Sequence, residues 1–359
     1  MAFSSGLELV SLYTDPMTPN RFVQIFLLAI LAGCALTPGP GTGTPATGTP
    51  TLSREAMAFN AGGDVRSDVR TLTLGNPGSE ALELTLSVTG AAAAQFGLSS
   101  TALRLEAGGS ADASVTFTPS ADLGPGTATL VVAGGAETQE VPLGGLSVRG
   151  QEGTNEPSLQ WILDTLGLGV QTGDPDPATS QLVVPGTESF VGEEVAGQLF
   201  TRADPAQPVT LEVVAAFGVA NVAPVFTFGT YAATAGTPAL QELLSVPISP
   251  NVNGQRLEPL VTTPAGSQTG ALSFEPPAGP FGFYSFWPTT RFFDARTVYT
   301  EDARNTFDPL AHHVRAYPLR DRSGTPVPDA FVLATDESNR LGDYNDAVVV
   351  VRNVRPSAP

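Results

Sequence analysis

The sequence predicts an all-β protein: two β-sandwiches in series, the second larger and jelly-roll-like, with one short helix at its entry. Three observations predict this. Short apolar stretches alternate with period two, the repeat of a half-buried strand. Gly and Pro, 38 and 32 of 359 residues, punctuate those stretches, at turns spaced by about 8–12 residues. One segment, Pro157–Leu166, instead carries the spacing of an amphipathic helix.

Ahead of the sandwiches lies a different kind of sequence. Phe22–Ala32 is an apolar run that follows Arg21 and ends in Leu31-Ala32-Gly33-Cys34. At about 12 residues it is short for a membrane-spanning helix, which needs roughly 20, and fits a secretory apolar region. Met1–Pro16 carries Glu8 and Asp15 and no basic residue, whereas Met17-Thr-Pro-Asn-Arg21 makes a compact positive start, so translation is expected from Met17. Cys34 is the single cysteine. A secreted chain with one Cys has no disulfide framework, and that thiol needs another use. The alternative use is as an ordinary buried thiol, against which stand the small residues before it and the Pro/Gly/Thr tract after it. Leu31–Cys34 resembles the lipobox of bacterial lipoproteins. The resemblance implies cleavage before Cys34, lipidation of Cys34 and a membrane anchor, since several acyl chains bind far more stably than one. Ala35 in place of Asp implies an outer-membrane destination in a two-membrane envelope. Residues 35–51, rich in Pro, Gly and Thr, read as a flexible tether, reaching up to roughly 50 Å if extended at about 3.1 Å per residue.

Composition narrows the function classes. The 35 acidic residues outnumber 17 basic ones, all of them Arg, for a net charge of −18. That balance argues against nucleic acid, where basic side chains neutralising phosphates supply most of the affinity. It suits divalent cations. About 325 residues follow Cys34, enough for two domains.

Residues 52–150 form the first predicted sandwich. Leu72 and Leu74 share one face of a strand. Asn76-Pro77-Gly78 turns the chain, and Leu82, Leu84, Leu86 and Val88 alternate inward on the next strand. Gly108-Gly109 turns it again before Val115 and Phe117, Gly124-Pro-Gly126 precedes Thr127–Ala133, and Gly134-Gly135 leads to Glu140–Val148. About 100 residues is the immunoglobulin-like size. The Asn-Pro-Gly turn, the Gly-Gly-Ser turn and the Phe-Thr-Pro strand end resemble the immunoglobulin-like repeats of the abnormal-spindle/Hydin class. That resemblance implies a spacer or protein-binding unit.

A polar linker, residues 151–156, leads to the helix, where Leu159, Ile162, Leu163 and Leu166 recur on one face and Gly167 ends it. Strands are expected at 181–184, 194–200, 209–216, 272–274 and 282–287 within a sandwich spanning 157–359. Phe283–Pro356, together with the Leu-Gln-Trp-Ile-Leu-Asp-Thr-Leu-Gly segment, resembles a C-terminal β-sandwich module of bacterial secreted multidomain proteins. The resemblance carries no activity.

Within that region Asp336, Glu337, Asn339, Asp343, Asn345 and Asp346 gather side-chain oxygens at a loop-to-strand junction. Ca2+ takes about 6–8 oxygen ligands, so this is the candidate calcium site. The alternative is a solvated hairpin whose Asp and Asn side chains bond their own backbone. His312 and His313 are adjacent and should point to opposite faces, which argues against a shared zinc ion. The dense aromatics Phe281, Phe283, Tyr284, Phe286, Trp287, Phe292, Phe293 and Tyr299 suit a glycan or protein surface where exposed and a core where buried; alternation favours burial for half. No Gly-x-Ser-x-Gly elbow supports a serine nucleophile.

Two functions therefore stand side by side. The first is a non-enzymatic cell-envelope lipoprotein whose sandwiches bind protein or glycan. The second is an enzyme acting on envelope polysaccharide, or its carbohydrate-binding accessory domain. A hydrolase needs two carboxylates roughly 5–9 Å apart in a cleft, and Glu301/Asp302 and Asp336/Glu337 are the pairs to examine.

Overall fold

The alternating stretch Arg70–Leu74 sets the pattern of the first sandwich: Leu72 and Leu74 are fully buried, Thr73 between them is half-buried and Thr71 is exposed. The computed structural model describes residues 48–63, 65–151, 155–178, 190–219, 222–247, 255–338 and 342–357. Cys34 and its lipobox, all but the last few tether residues, and the strand expected at 181–184 lie outside the described residues.

The first sandwich comprises β1 (Thr51–Leu52), β2 (Met57–Gly62), β3 (Asp68–Gly75), β4 (Leu82–Thr89), β5 (Phe96–Leu98), β6 (Ala102–Leu105), β7 (Ser110–Phe117), β8 (Gly124–Ala133) and β9 (Gln139–Val148). One sheet has the order β1-β3-β7-β5, the other β2-β9-β8-β4-β6. All pairs are antiparallel except β2 with β9, which run parallel. Both sheets turn their apolar residues into one core, where Phe59, Leu72, Leu84, Val115, Phe117 and Leu130 meet. The strand expected at Thr127–Ala133 starts earlier: Gly124-Pro-Gly126 is the first part of β8, with Gly124 paired to Ser147. Asn76 explains the Asn-Pro-Gly turn: its Oδ1 accepts from the Gly78 amide at 2.9 Å and its amide donates to three carbonyls, including Glu80 at 2.7 Å.

Helix α1 (Leu159–Leu166) follows the expected spacing, with Leu159, Ile162 and Leu163 fully buried. The Ser158 hydroxyl accepts from the Trp161 amide at 3.3 Å, an N-cap that satisfies one of the helix's orphan donors. Gly167 closes the helix with φ of 71°, a left-handed conformation that glycine adopts freely.

The second sandwich comprises β10 (Phe200–Arg202), β11 (Val209–Ala216), β12 (Phe226–Ala232), β13 (Leu240–Val246), β14 (Arg256–Leu257), β15 (Val261–Thr263), β16 (Gly266–Gln268), β17 (Leu272–Phe274), β18 (Phe281–Trp287), β19 (Arg296–Tyr299), β20 (Val314–Arg320), β21 (Pro326–Thr335), β22 (Ala347–Arg352) and β23 (Val354–Pro356). One sheet is ordered β16-β15-β13-β12-β18-β10-β23 with β19 beside β18; the facing sheet is ordered β14-β11-β22-β21-β20 with β17 beside β11. Phe200, Phe226, Phe283, Trp287, Leu333 and Val349 fill the space between them.

The second of these sheets is covered on its other face too. Val214, Phe217, Tyr317, Val332, Val348 and Val350 pack against Leu159, Ile162 and Leu163 of α1 and against Ala58, Leu146 and Val148 of the first sandwich. Burial on both faces explains why β22 reads as an unbroken Ala-Val-Val-Val-Val rather than an alternation. Residues 45–359 accordingly form one compact unit. Two expectations need correction. Glu194–Phe200 is not a continuous strand: Val195 bridges to Ala316 and β10 begins at Phe200, because Glu194 turns inward to buried polar partners. In β18 the alternation fails, since Phe281, Phe283, Tyr284 and Trp287 are all buried while Phe286 is exposed.

Candidate metal centre

The loop joining β21 to β22 carries the acidic residues, and it is buried. Asp336, Glu337, Asp343 and Asp346 are 2%, 6%, 4% and 6% exposed, and Asn345 is wholly enclosed. The loop is therefore not a solvated hairpin, although Asp336 does bond the backbone of its own loop as that alternative expected. Asn339 lies outside the described residues.

Local backbone bonds fix the loop. The Asp336 amide donates to His313 O at 3.0 Å, extending the β20–β21 ladder by one residue. Its carboxylate accepts from the amides of Ser338 at 2.9 Å and Gly342 at 3.0 Å. The Asp346 carboxylate accepts from the Glu337 amide at 2.9 Å. Tyr344, at a left-handed φ of 52°, donates its hydroxyl to His312 O at 2.6 Å. Asn345 donates to Pro157 O at 2.7 Å, tying the loop to the residue before the Ser158 N-cap of α1.

These constraints bring one carboxylate oxygen each from Asp336, Asp343 and Asp346 within 4.8 Å of one another. Two oxygens on opposite sides of a Ca2+ ion, each at about 2.4 Å, are separated by about 4.8 Å. The donor set fits a hard cation. Asn345 Oδ1 is buried with no hydrogen-bond partner, an acceptor of the kind such a site uses. Among the described residues no arginine forms an ion pair with Asp343 or Asp346. Burial, then the charges of Asp336 and Glu337, push the Asp343 carboxyl well above the usual carboxylate range. Burial, then Glu337, does the same to Asp346, and burial raises Glu337 itself. Like charges this close cannot all ionise without a counter-cation or trapped protons. The Glu337 carboxyl hydrogen-bonds Asp346 at the edge of the trio, while its carbonyl accepts from Arg296 at 3.4 Å. One contributor carries no local signal in the sequence: Glu156, in the predicted polar linker, is 9% exposed and hydrogen-bonds the Asp343 carboxyl.

The other sequence candidates have separate partners. His312 and His313 diverge as expected. His312 Nε2 lies 2.7 Å from Glu194 and its Nδ1 3.1 Å from Asp302, while Glu194 also pairs with the fully buried Arg315. Burial alone would lower the His312 pKa, but the hydrogen bonds to Asp302 and Glu194 outweigh it and push it up to about 9. His313 Nδ1 meets Asp336 O at 2.9 Å, and burial lowers its pKa. Of the pair Glu301/Asp302, Glu301 binds Arg304 and Asp302 binds His312 and Gln198. Among the aromatics, Phe286 and Phe292 are exposed at 37% and 53%, and Phe293 packs on the core with Arg296 over its ring.

No family profile matches the chain, and no curated protein matches it. Solved structures with local likeness include a PapD-like domain of human CEP192, 19% identical over 34% of this chain and 99% of that one, TM-score 0.25. The Escherichia coli chaperone DraB is 12% identical over 70% of this chain and 98% of its own, TM-score 0.26. The Salmonella enterica SafA pilin–SafB chaperone complex gives 12% over 71% and 97%, TM-score 0.27. At such scores the likeness bears on neither ligand nor partner.

Proposed function

We propose that this chain is a non-enzymatic cell-envelope lipoprotein, anchored through Cys34 and displaying two joined β-sandwiches that bind protein or glycan, with Ca2+ held by Asp336, Asp343 and Asp346. The lipobox Leu31-Ala32-Gly33-Cys34 and the Pro/Gly/Thr tract support the anchor and the location outside the cytoplasm. The calcium reading rests on one observation: three buried carboxylates converge within 4.8 Å, in a loop that also holds the unpartnered amide oxygen of Asn345. The metal would replace the trapped protons with a fixed charge and stiffen the end of the sandwich where the chain enters it. Glycan or protein binding would use exposed surface elsewhere, for which Phe286 and Phe292 are the aromatic candidates.

Calcium titration followed by thermal melting, with a chelator as control, tests the metal site. A ligand that binds only the folded state stabilises it by about 2.7 kcal/mol at 100 times its Kd. The expected result is a rise in melting temperature that disappears in Asp343→Ala and Asp346→Ala. No rise at millimolar calcium would leave the cluster as a proton-holding structural element. Radiolabelled palmitate incorporation, lost in Cys34→Ser, tests the anchor separately.

A further inference from the structure

A cleft of about 570 Å3 opens between the two sandwiches, away from the acidic loop. That size lies within the usual range of small-molecule sites, and such sites favour the junctions between domains. The first sandwich lines it with Arg54, Glu55, Thr71 and Thr73; the second lines it with Glu212, Glu258 and Thr269.

The two buried-side glutamates differ. Glu258 is held: its carboxylate takes Arg54 at 2.7 Å and Arg70 at 3.1 Å, its amide donates to Val214 O at 2.8 Å, and its φ of 44° is left-handed. Such a conformation persists where surroundings over-determine it. Glu212, on β11, makes no hydrogen bond or ion pair through its carboxylate among the described residues. Burial, then the nearby Glu258, pushes its carboxyl up; Arg352 and Arg54 act in the opposite direction but do not cancel this. Glu55, Thr71 and Thr269 are exposed, and their side chains too make no hydrogen bond or ion pair among the described residues. Arg54, the one basic side chain in the lining, is already turned to Glu258. The cleft thus offers free carboxylate and hydroxyl oxygens and few free N–H donors. Its complement is a group rich in N–H donors that also carries positive charge.

We propose that this cleft binds a primary ammonium group, with Glu212 as its counter-ion, Glu55 adding charge and the Thr71 and Thr269 hydroxyls accepting its remaining hydrogens. The ammonium is either that of a free polyamine or that of a lysine side chain on a peptide. This site is independent of the calcium reading, and its failure leaves that reading intact.

Titration calorimetry on the full chain at fixed ionic strength tests it, with spermidine as one probe and N-acetyl-lysine amide as the other. Saturable binding is expected, weakened about tenfold or more in Glu212→Gln, as loss of a charged hydrogen-bond partner implies. Glu83→Gln removes the same charge from the opposite sheet of the first sandwich and should leave binding within about twofold. Thr71→Val, an exposed-face change, provides a second variant and should weaken binding about fivefold. Tighter binding of spermidine identifies a free polyamine; tighter binding of the lysine amide identifies a peptide. Absence of saturable binding, equal loss in Glu83→Gln and Glu212→Gln, or equally tight binding of neutral xylose would each overturn the proposal.

Discussion

Arg70 and Glu258 lie 188 positions apart in sequence and 3.1 Å apart in space, one on each sandwich. Arg70 is 5% exposed at its side chain and also binds Asp68 at 3.0 Å and the Leu257 carbonyl at 2.8 Å. Arg256 reaches back to Asp68 at 3.2 Å, and Asn60 Oδ1 accepts from the Leu257 amide at 2.9 Å. The junction is therefore a largely buried polar network built around Arg70 and Asp68, with the Asn60 side-chain nitrogen left without a partner.

Breaking that network from its centre leaves Asp68 and Glu258 short of a partner. Arg70→Ala should cost about 3–5 kcal/mol, the usual penalty for a buried pair missing one member. Arg54→Ala, whose side chain is 27% exposed, should cost only about 0–1 kcal/mol. Denaturant unfolding of both variants measures the contrast, and equal losses would contradict a buried joint.

The contact of α1 with the first sandwich depends on a missing side chain. A Cβ on Gly144 would stand 1.9 Å from the Thr165 carbonyl oxygen, a backbone atom in the last turn of the helix. Gly144→Ala should destabilise by about 1–3 kcal/mol, as overpacking does. Thermal melting should show the loss, while the exposed Gly97→Ala, with open space around it, should change little.

His312 supplies a pH dependence. Its pKa rises from an ordinary 6.5 to about 9 in the fold. The folded state then binds the proton more tightly, so the stabilisation is fully present below about pH 6.5 and is lost as pH rises through 9. Its size is on the order of 3 kcal/mol. The stability gap between the native chain and His312→Gln should be widest below pH 6.5 and close towards pH 10. A gap independent of pH would place the charge elsewhere.

Asp343→Asn separates the two roles of the acidic loop. Removing one of several crowded carboxylates should make the metal-free protein more stable at neutral pH. The same change should abolish any stabilisation by calcium. Melting curves with chelator and with calcium give both signs in one experiment.

Local chemistry made much of the fold legible. Leu72/Leu74 and Leu82/Leu84/Leu86 alternate because each strand has one wet face, and α1 announces itself through Leu159, Ile162 and Leu163. What escaped was burial from both sides. The valines of β22 and the aromatics of β18 carry no alternation to read, and Glu194 looks like a strand residue until Arg315 and His312 are seen around it. In the candidate site the clustering of Asp336, Asp343 and Asp346 followed from their spacing, but their enclosure did not. Glu156 comes from a segment distant in sequence, and the cleft residues Glu212 and Glu258 are brought together with Arg54 only by the meeting of the two sandwiches.

The layer of apolar side chains shared by α1, the outer face of the second sandwich and the edge of the first has a calorimetric consequence. Neither sandwich can lose its structure without exposing part of the other's interior to water. Residues 45–359 should absorb heat in a single transition, with calorimetric and van't Hoff enthalpies in agreement, although the chain contains enough sequence for two independent melts.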